Sequence, residues 1–391
     1  MTVLVINSGS SSIKYQLIDP ESGASLAKGL VERIGESISH LEHEVDDKSF
    51  ELDQPIADHA VGLALVIDMF NTHGPSLAEA DIKAVGHRVV QGGKYFDKAA
   101  LITDEVQQLI IEDLSPLGPL HNPAHLKGIK VAREMFDVPN VAVFDTAFFQ
   151  SLPNESATYA IDRDVAEKYQ IRRYGAHGTS HQFVSGQVSE LLGRDDLKQI
   201  VLHLGNGASA SAVVNGRAVD TSMGLTPLEG LVMGGRTGDI DPAAVFHLVR
   251  QAGMSIDEID TLFNKQSGLK GLAGDNDMRQ VWKLANEGDA NAQEALEVYV
   301  HRLIHYIGAY TAVMGGLDAL TFTAGAGEND SRLRERVCER LAPFGVKLDL
   351  EKNSVRSKEA RVISTEDSAV TVCVVPTNEE LAIARQAMEI I

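Results

Sequence analysis

Two stretches of the chain, 198 positions apart, share one plan, and that plan limits the folds open to it. In the first, the apolar run Val3–Ile6 leads through Asn7-Ser8-Gly9-Ser10-Ser11-Ser12 into a second apolar run, Ile13–Ile18. In the other, Ile200–Leu204 leads through Gly205-Asn206-Gly207 into Ala212–Val214, with Gly207 matching Gly9 and Ser209 matching Ser11. Two Gly/Ser turns match by chance as readily as by duplication. Under duplication, two related α/β domains would face each other across a cleft.

Other runs, Val141–Phe144, Leu320–Thr323 and Val370–Val375, read as strands separated by segments with helical punctuation. Asn122-Pro123 and Asp241-Pro242 place an N-cap before a proline, and Ser255 with Glu258 has capping-box spacing. Strands interleaved with helices predict α/β layering. A chain of 391 residues without a low-complexity linker suggests two or three domains.

The formal charge of −20 argues against binding a nucleic-acid backbone, which rewards clustered Lys and Arg. An anionic ligand must therefore meet a locally basic pocket. Two cysteines, Cys338 and Cys373, exclude a disulfide framework and suit a reducing compartment. The start, MTVLVINSGSSS, has no basic n-region, and Ala60–Phe70 is too short to span a bilayer, so the expectation is a cytoplasmic protein without a membrane segment.

Small residues in a turn let backbone N–H groups approach phosphate oxygens, because no Cβ intervenes. Asn7–Ser12 and His203–Gly207 qualify, although each alone fits an ordinary hairpin, and Lys14 follows the first. Gly325-Ala326-Gly327-Glu328-Asn329 stands between a strand and a helical run, a setting that suits a nucleotide across a helix N-terminus. It lacks the third glycine of the dinucleotide fingerprint, and no P-loop occurs. Gly86-His87-Arg88, Gly175–His181 and Gly234–Asp239 put Arg or His beside glycines, and three such segments favour an anion site. His177 with His181, and His121 with His125, have zinc-compatible spacing but no Glu within either segment. Asp145 ends a strand, where carboxylates of open α/β sheets face ligands. Thr377 and Glu380 have capping-box spacing, which leaves Glu379 over.

VLVINSGSSSIKYQL, GHRVV, PLHNPAHLKGI, VFDTAFF, HGTSH, HLGNGAS, TSMGLTPLEGLVMG, GDIDP, FTAGAGEN and VPTNEELAIAR follow one another in the order and spacing of acetate kinases. The resemblance covers essentially the whole chain. It implies duplicated actin-like, ribonuclease H-like ATPase domains, residues 1–147 plus 379–391 on the acyl side and 148–378 on the nucleotide side. It also implies magnesium-dependent phosphoryl transfer between ATP and acetate, giving acetyl phosphate and ADP, by a homodimer. Manganese could replace magnesium.

By the same resemblance, Lys14, His203, Leu204, Gly205, Asn206, Gly207, Asp277, Met278, Arg279 and Gly325, Ala326, Gly327, Glu328 and Asn329 would contact the nucleotide. Asn7 and Glu379 would hold magnesium, and Arg88 the acetate carboxylate. Val90, Leu120, Ala176 and Pro227 would line the acyl pocket. His177 and Arg236 would stabilise the transferring phosphoryl group, with Asp145 as the family's usual proton acceptor. That last role fits poorly, because acetate, with a pKa of roughly 4–5, is already ionised at neutral pH; orienting magnesium-bound water or the arginines suits Asp145 better. Gln91 stands where the family commonly has His, Ala176 where it has Phe, Gly235 and Thr237 where it has Thr and Ser, and Ala326 where it has Ile. No charged catalytic group is lost. Rival functions are a propionate or other short-chain acyl kinase, and a non-catalytic actin-like nucleotide switch, which would have no use for Arg88.

Overall fold

The computed structural model describes residues 1–119 and 121–391, with the backbone alone described at Ile111. Leu120, one of the acyl-pocket candidates, lies outside the described residues. The chain forms two compact units, Met1–Gln150 with Asn378–Ile391, and Ser151–Thr377.

The first unit is built on a sheet of β1 (Thr2–Ser8), β2 (Ile13–Ile18), β3 (Ser25–Glu32), β4 (Ser39–Val45), β5 (Lys48–Gln54), β6 (Ile82–Val89), β7 (Ala100–Leu101) and β8 (Asn140–Phe144). Its order is β5-β4-β3-β2-β1-β6-β8-β7. β1 pairs antiparallel with β2 and parallel with β6, and β6 pairs parallel with β8. The helices Asn122–Met135 and Glu379–Ile390 pack on these central strands.

The second unit holds β9 (Lys198–Leu204), β10 (Ala208–Val214), β11 (Arg217–Thr221), β12 (Ala319–Thr323), β13 (Arg361–Val362) and β14 (Thr371–Val374), in the order β11-β10-β9-β12-β14-β13. This repeats β3-β2-β1-β6-β8-β7 strand for strand. The senses agree as well: each central strand is antiparallel to its hairpin partner and parallel to the next strand on its other side. Topology therefore decides for duplication where the Gly/Ser turns could not.

Strand alternation sorts the second core. Ile200, Leu202 and Leu204 join the apolar cluster that includes Leu296, Val300 and Leu303 of the helix Ala290–Met314. Val201 joins the opposite cluster with Val184 and Val188 of the helix Gly178–Leu192. Both faces of β9 are thus covered, as its near-continuous apolar run requires.

Ser255 and Glu258 form the full capping box, whereas Asp241, expected as an N-cap, accepts from Ala243 N–H at 2.9 Å from outside the cap position, which Pro242 occupies before the helix Ala243–His247. Asn122, expected as an N-cap, is the first residue of its helix, and His121 occupies the cap position. Its buried amide is committed elsewhere: it accepts from Gln91 N–H at 3.1 Å and donates to the carbonyls of Gln91 at 2.9 Å and Leu114 at 3.3 Å. The Thr377–Glu380 capping box is also absent. Asn378 caps the last helix through Leu381 N–H at 3.0 Å, while Glu380 pairs with Lys14. Thr377 is unavailable because its hydroxyl meets Ser180 Oγ at 2.8 Å and its N–H donates to Glu328 at 3.1 Å.

Asn122→Ala would strand the Gln91 N–H and C=O in a buried setting. The expected loss is about 2–4 kcal/mol, since each unsatisfied buried group costs roughly 1–3 kcal/mol. Urea unfolding of both proteins checks it, and a loss below about 1 kcal/mol would show that other groups replace the amide.

Candidate active site

The candidate residues Asn7, Arg88 and Asp145 of the first unit gather at the carboxyl ends of its central parallel strands. Asn7 lies near the end of β1, Arg88 near the end of β6, and Asp145 directly follows β8. Asp145 is fully buried and receives Arg88 in a two-pronged contact, Nη2 to Oδ2 at 2.6 Å and Nε to Oδ1 at 3.3 Å. Such a fork fixes the guanidinium plane as well as its position. Glu379, first residue of the last helix, stands 3.8 Å from Arg88 Nε. Burial opposes the charged guanidinium, but Asp145 and Glu379 outweigh it and push its pKa up. Glu379 itself is pushed up, chiefly by burial, against the pull of Arg88. Val90 is buried just past β6. Lys14 sits on the exposed side of β2, its ammonium held by Glu380.

In the second unit, register explains the histidines. β9 and β10 place His203 opposite Ser209 and Val201 opposite Ser211, and Val201 belongs to the face packed against the helix Gly178–Leu192. His203, two residues on, shares that face. Its Nδ1 lies 2.8 Å from Ser180 Oγ of the helix. His177, at the N-cap of that helix with a left-handed backbone (φ 59°, ψ 21°), stacks on His203 at 4.3 Å. Its Nδ1 is 2.9 Å from Ser209 Oγ. A Cβ on Gly207 would sit 3.4 Å from His177 Nε2 and 3.6 Å from Arg236 Nη1, so the glycine leaves room where both side chains arrive. Arg236 donates to the Pro227 carbonyl at 3.1 Å. Ala176 is 2% exposed and belongs to the apolar core of this unit, whereas Leu204 is fully buried.

His177 and His181 do not point at a common metal position: both reach Ser209 Oγ, and the other nitrogen of His181 reaches Ser211. Among the described residues no cluster of three or more His, Cys, Asp or Glu is placed to hold a metal.

A cavity of about 820 Å³ opens beside these residues. Gly205, Asn206, Asp277, Met278, Arg279, Gly325, Ala326 and Asn329 line it, all expected from the sequence. Gly207, Gly327, Glu328, His203 and Leu204 do not. The glycine-rich segment is a short helix, Ala324–Asn329, instead of an open turn, and Glu328 folds back to accept from Ala324 N–H at 2.9 Å and Thr377 N–H at 3.1 Å. It braces the segment from behind.

Sequence reasoning missed Leu269, Asn276, Tyr299, Arg332 and Arg356 in the cavity wall. Tyr299 and Leu269 sit on ordinary helical stretches with no local signature. Gly234 also lines the cavity and lay within a flagged segment; a Cβ there would meet Asn206 Oδ1 at 1.9 Å, a close approach that the glycine pair around it hinted at. No described helix is long and apolar enough to cross a membrane.

The model of the acetokinase family matches residues 2–385. An acetate kinase of Leifsonia xyli subsp. xyli is 58% identical over 390 residues, covering 99% of this chain and 98% of its own. Among solved structures, Porphyromonas gingivalis acetate kinase superposes with a TM-score of 0.94 at 41% identity, covering 100% of this chain and 99% of its own. A propionate kinase from Francisella tularensis gives 0.93 at 41% identity, with full coverage of both chains. With the duplicated sheets, the forked Arg88–Asp145 pair and the His177–Arg236 approach over Gly207, these likenesses establish that the chain belongs to the acetokinase family and is a phosphotransferase of the acetate-kinase type.

Proposed function

We propose that this chain catalyses reversible, magnesium-dependent transfer of the γ-phosphoryl group of ATP to acetate, giving acetyl phosphate and ADP. The observation that carries the reading is the pair of built anion contacts, Arg88 held by Asp145 and the His177 and Arg236 side chains brought to Gly207. A nucleotide switch would need neither.

Arg88 binds the acetate carboxylate. With Asp145 occupying one edge of the guanidinium, the remaining donors keep a fixed direction, so the nucleophilic oxygen is oriented before reaction. Asp145 works as this orienter, since acetate needs no base. Phosphoryl transfer asks mainly for in-line positioning and neutralisation of charge on the equatorial oxygens, and His177 and Arg236 supply donors for it. The nucleotide takes the 820 Å³ cavity, where Met278 and Ala326 offer apolar surface and Arg279 and Asn329 polar edges.

Asn7 and Glu379 would hold the magnesium ion. The donor set fits: both side chains offer hard oxygens, and Mg²⁺ typically takes one or two carboxylates and keeps its waters. When bound, the ion neutralises phosphate charge. Glu379, which burial pushes toward protonation, gains a partner for its charged form. A homodimer and a cytoplasmic location complete the reading on the family resemblance and composition.

A second reading, a broader short-chain acyl kinase, is favoured by Ala176, which stands where the family commonly has Phe, and by the likeness to a propionate kinase.

Incubation with ATP, Mg²⁺, acetate and hydroxylamine should yield acetohydroxamate, and none with an active nucleotide site would end the proposal. Arg236→Ala should keep the fold and lose roughly 10³-fold or more in turnover, the scale for a phosphoryl-stabilising arginine, whereas Arg88→Ala should lower both turnover and stability, because it leaves the buried Asp145 carboxylate unpaired. Arg88→Ala should raise the KM for acetate more than that for ATP; equal increases would remove the assigned distinction.

Gly268 tests the Arg236 loop from behind. Its backbone is left-handed (φ +61°), and a Cβ would lie 2.1 Å from the Met233 carbonyl and 2.6 Å from that of Arg236. Gly268→Ala should cost about 1–3 kcal/mol by overpacking and lower kcat with it. A destabilised protein with unchanged kcat would show that Arg236 tolerates the shift.

For the acyl chain, propionate should be used with kcat/KM within about tenfold of acetate, because hydrophobic pockets discriminate one methylene by only roughly 1–3 kcal/mol. Ala176→Phe should shift the ratio toward acetate. An unchanged ratio with a lowered melting temperature would assign Ala176 to core packing alone.

A further inference from the structure

We propose that Arg173 and Glu229 are positioning residues of the transfer reaction: their ion pair fixes the segment that bears Arg236 against the segment that bears His177. This rests on the assignment of those two side chains to the phosphoryl group. Neither Arg173 nor Glu229 would touch substrate.

Arg236 sits in a long irregular stretch, residues 222–242, between β11 and the helix Ala243–His247. No helix or sheet ladder holds such a stretch, so its placing depends on other bonds. Its later part closes on itself: Gly230 N–H donates to Asp239 Oδ1 at 2.8 Å, and Asp239 N–H donates to the Gly230 carbonyl at 2.9 Å. Tyr306, on the helix Ala290–Met314, donates to Asp239 Oδ2 at 2.8 Å and steadies the exit of this loop. Glu229 stands at its entry, two residues after Pro227, whose carbonyl accepts from Arg236 Nη1 at 3.1 Å.

Arg173 addresses that entry. Its Nη2 donates to Glu229 Oε1 at 2.7 Å, while Nη1 donates to the carbonyls of Thr221, Ser222 and Met223 at 3.0, 3.3 and 3.2 Å. The other carboxylate oxygen accepts from the Tyr159 hydroxyl, which in turn accepts from Leu225 N–H at 3.1 Å. Both oxygens of Glu229 are thus engaged, which fixes the plane of the carboxylate. The residues after Arg173 join the same contact: the N–H groups of Tyr174 and Gly175 donate to the Gly224 carbonyl at 3.0 and 3.1 Å. His177 follows two positions later. One guanidinium therefore ties the approach to His177 to the root of the Arg236 loop, and both side chains arrive at Gly207.

The transferring group needs both donors at once, at a separation set by its own oxygens. Held at Asp239 alone, the loop could pivot; the bond at Glu229 removes that freedom. A lysine could keep the charge but not the fork, since one ammonium cannot serve Glu229 and three carbonyls together. The two side chains are 17% and 32% exposed, so the pair contributes little to stability and its effect is geometric.

Turnover of the full-length enzyme in two backgrounds tests this. Glu229→Ala should lower kcat roughly 10–100-fold, since a misplacement of about 1 Å costs on the order of 10². Glu229→Gln, which keeps an oxygen for Arg173, should recover most of that loss. In the Arg236→Ala background, Glu229→Ala should lower kcat by less than about threefold, because the group it positions is gone, while the melting temperature should fall equally in both backgrounds. An unchanged kcat in Glu229→Ala, or the same factor lost in both backgrounds, overturns the proposal. If Glu229→Ala fails to fold, Tyr159→Phe, which removes one of the carboxylate's two partners, runs the same comparison under the same criteria. Turnover that survives Arg236→Ala overturns the phosphoryl assignment itself, and so is told apart from either result.

Discussion

Parallel pairing of β9 with β12 is the constraint from which the second unit's chemistry follows. Two parallel neighbours end at the same edge of a sheet, so the segments that leave them emerge side by side. Here those segments are Gly205–Gly207 and the helix Ala324–Asn329, and residues of both, Gly205, Asn206, Gly325, Ala326 and Asn329, line the cavity. The antiparallel return of β10 brings Ser209 back beside His203. Had β10 been connected by a crossover, the residue facing His203 would have come from elsewhere in the chain. The first unit repeats the scheme, with β1, β6 and β8 delivering Asn7, Arg88 and Asp145 to one edge.

The two units meet the cost of buried charge differently. Arg88 and Asp145 neutralise each other through a fork, and removing one partner would leave the other uncompensated, a large penalty. Arg334, only 2% exposed, has oxygen dipoles as its hydrogen-bond partners: the carbonyls of Gly327, Glu328 and Asn353 and the Asn353 amide oxygen. Burial and the repulsion of Arg361 push its pKa down to about 10. It remains a cation at neutral pH, tying off the carboxyl end of the helix that walls the 820 Å³ cavity.

Much of this was legible in the residues because several signals are local. Apolar runs marked β1, β8, β9, β12 and β14, and glycines beside Arg and His marked the end of β6 that carries Arg88 and the segments that carry His177 and Arg236. Collinear motifs gave the family. What stayed hidden depends on distant partners. Asn122 and Thr377 both carry capping chemistry, yet tertiary bonds to Gln91, Ser180 and Glu328 outbid the local motif. Tyr299 and Leu269 reach the cavity through helix packing, which leaves no signature in their neighbours. The bonds that Glu328 accepts from Ala324 and Thr377 are likewise invisible in its glycine-rich neighbours, because a long side chain at a helix end can satisfy the backbone behind it. The strand order that the second sheet shares with six strands of the first was visible only as a repeated turn.

The path of the chain through the first unit bears on how the protein is made. Residues 1–150 leave the ribosome first, but the helix Glu379–Ile390 that covers β1, β6 and β8 is made last. Its Leu381, Ile383, Ala384 and Ala387 are buried, and it lies so close to β6 that a Cβ on Gly86 would meet Ile383 at 2.7 Å. Until that helix arrives, the nascent first unit exposes an apolar strip of sheet. The contiguous second unit, by contrast, has every element in hand once Thr377 has emerged. The unit translated first is therefore completed second, and the interval between is when the growing chain most needs protection from aggregation.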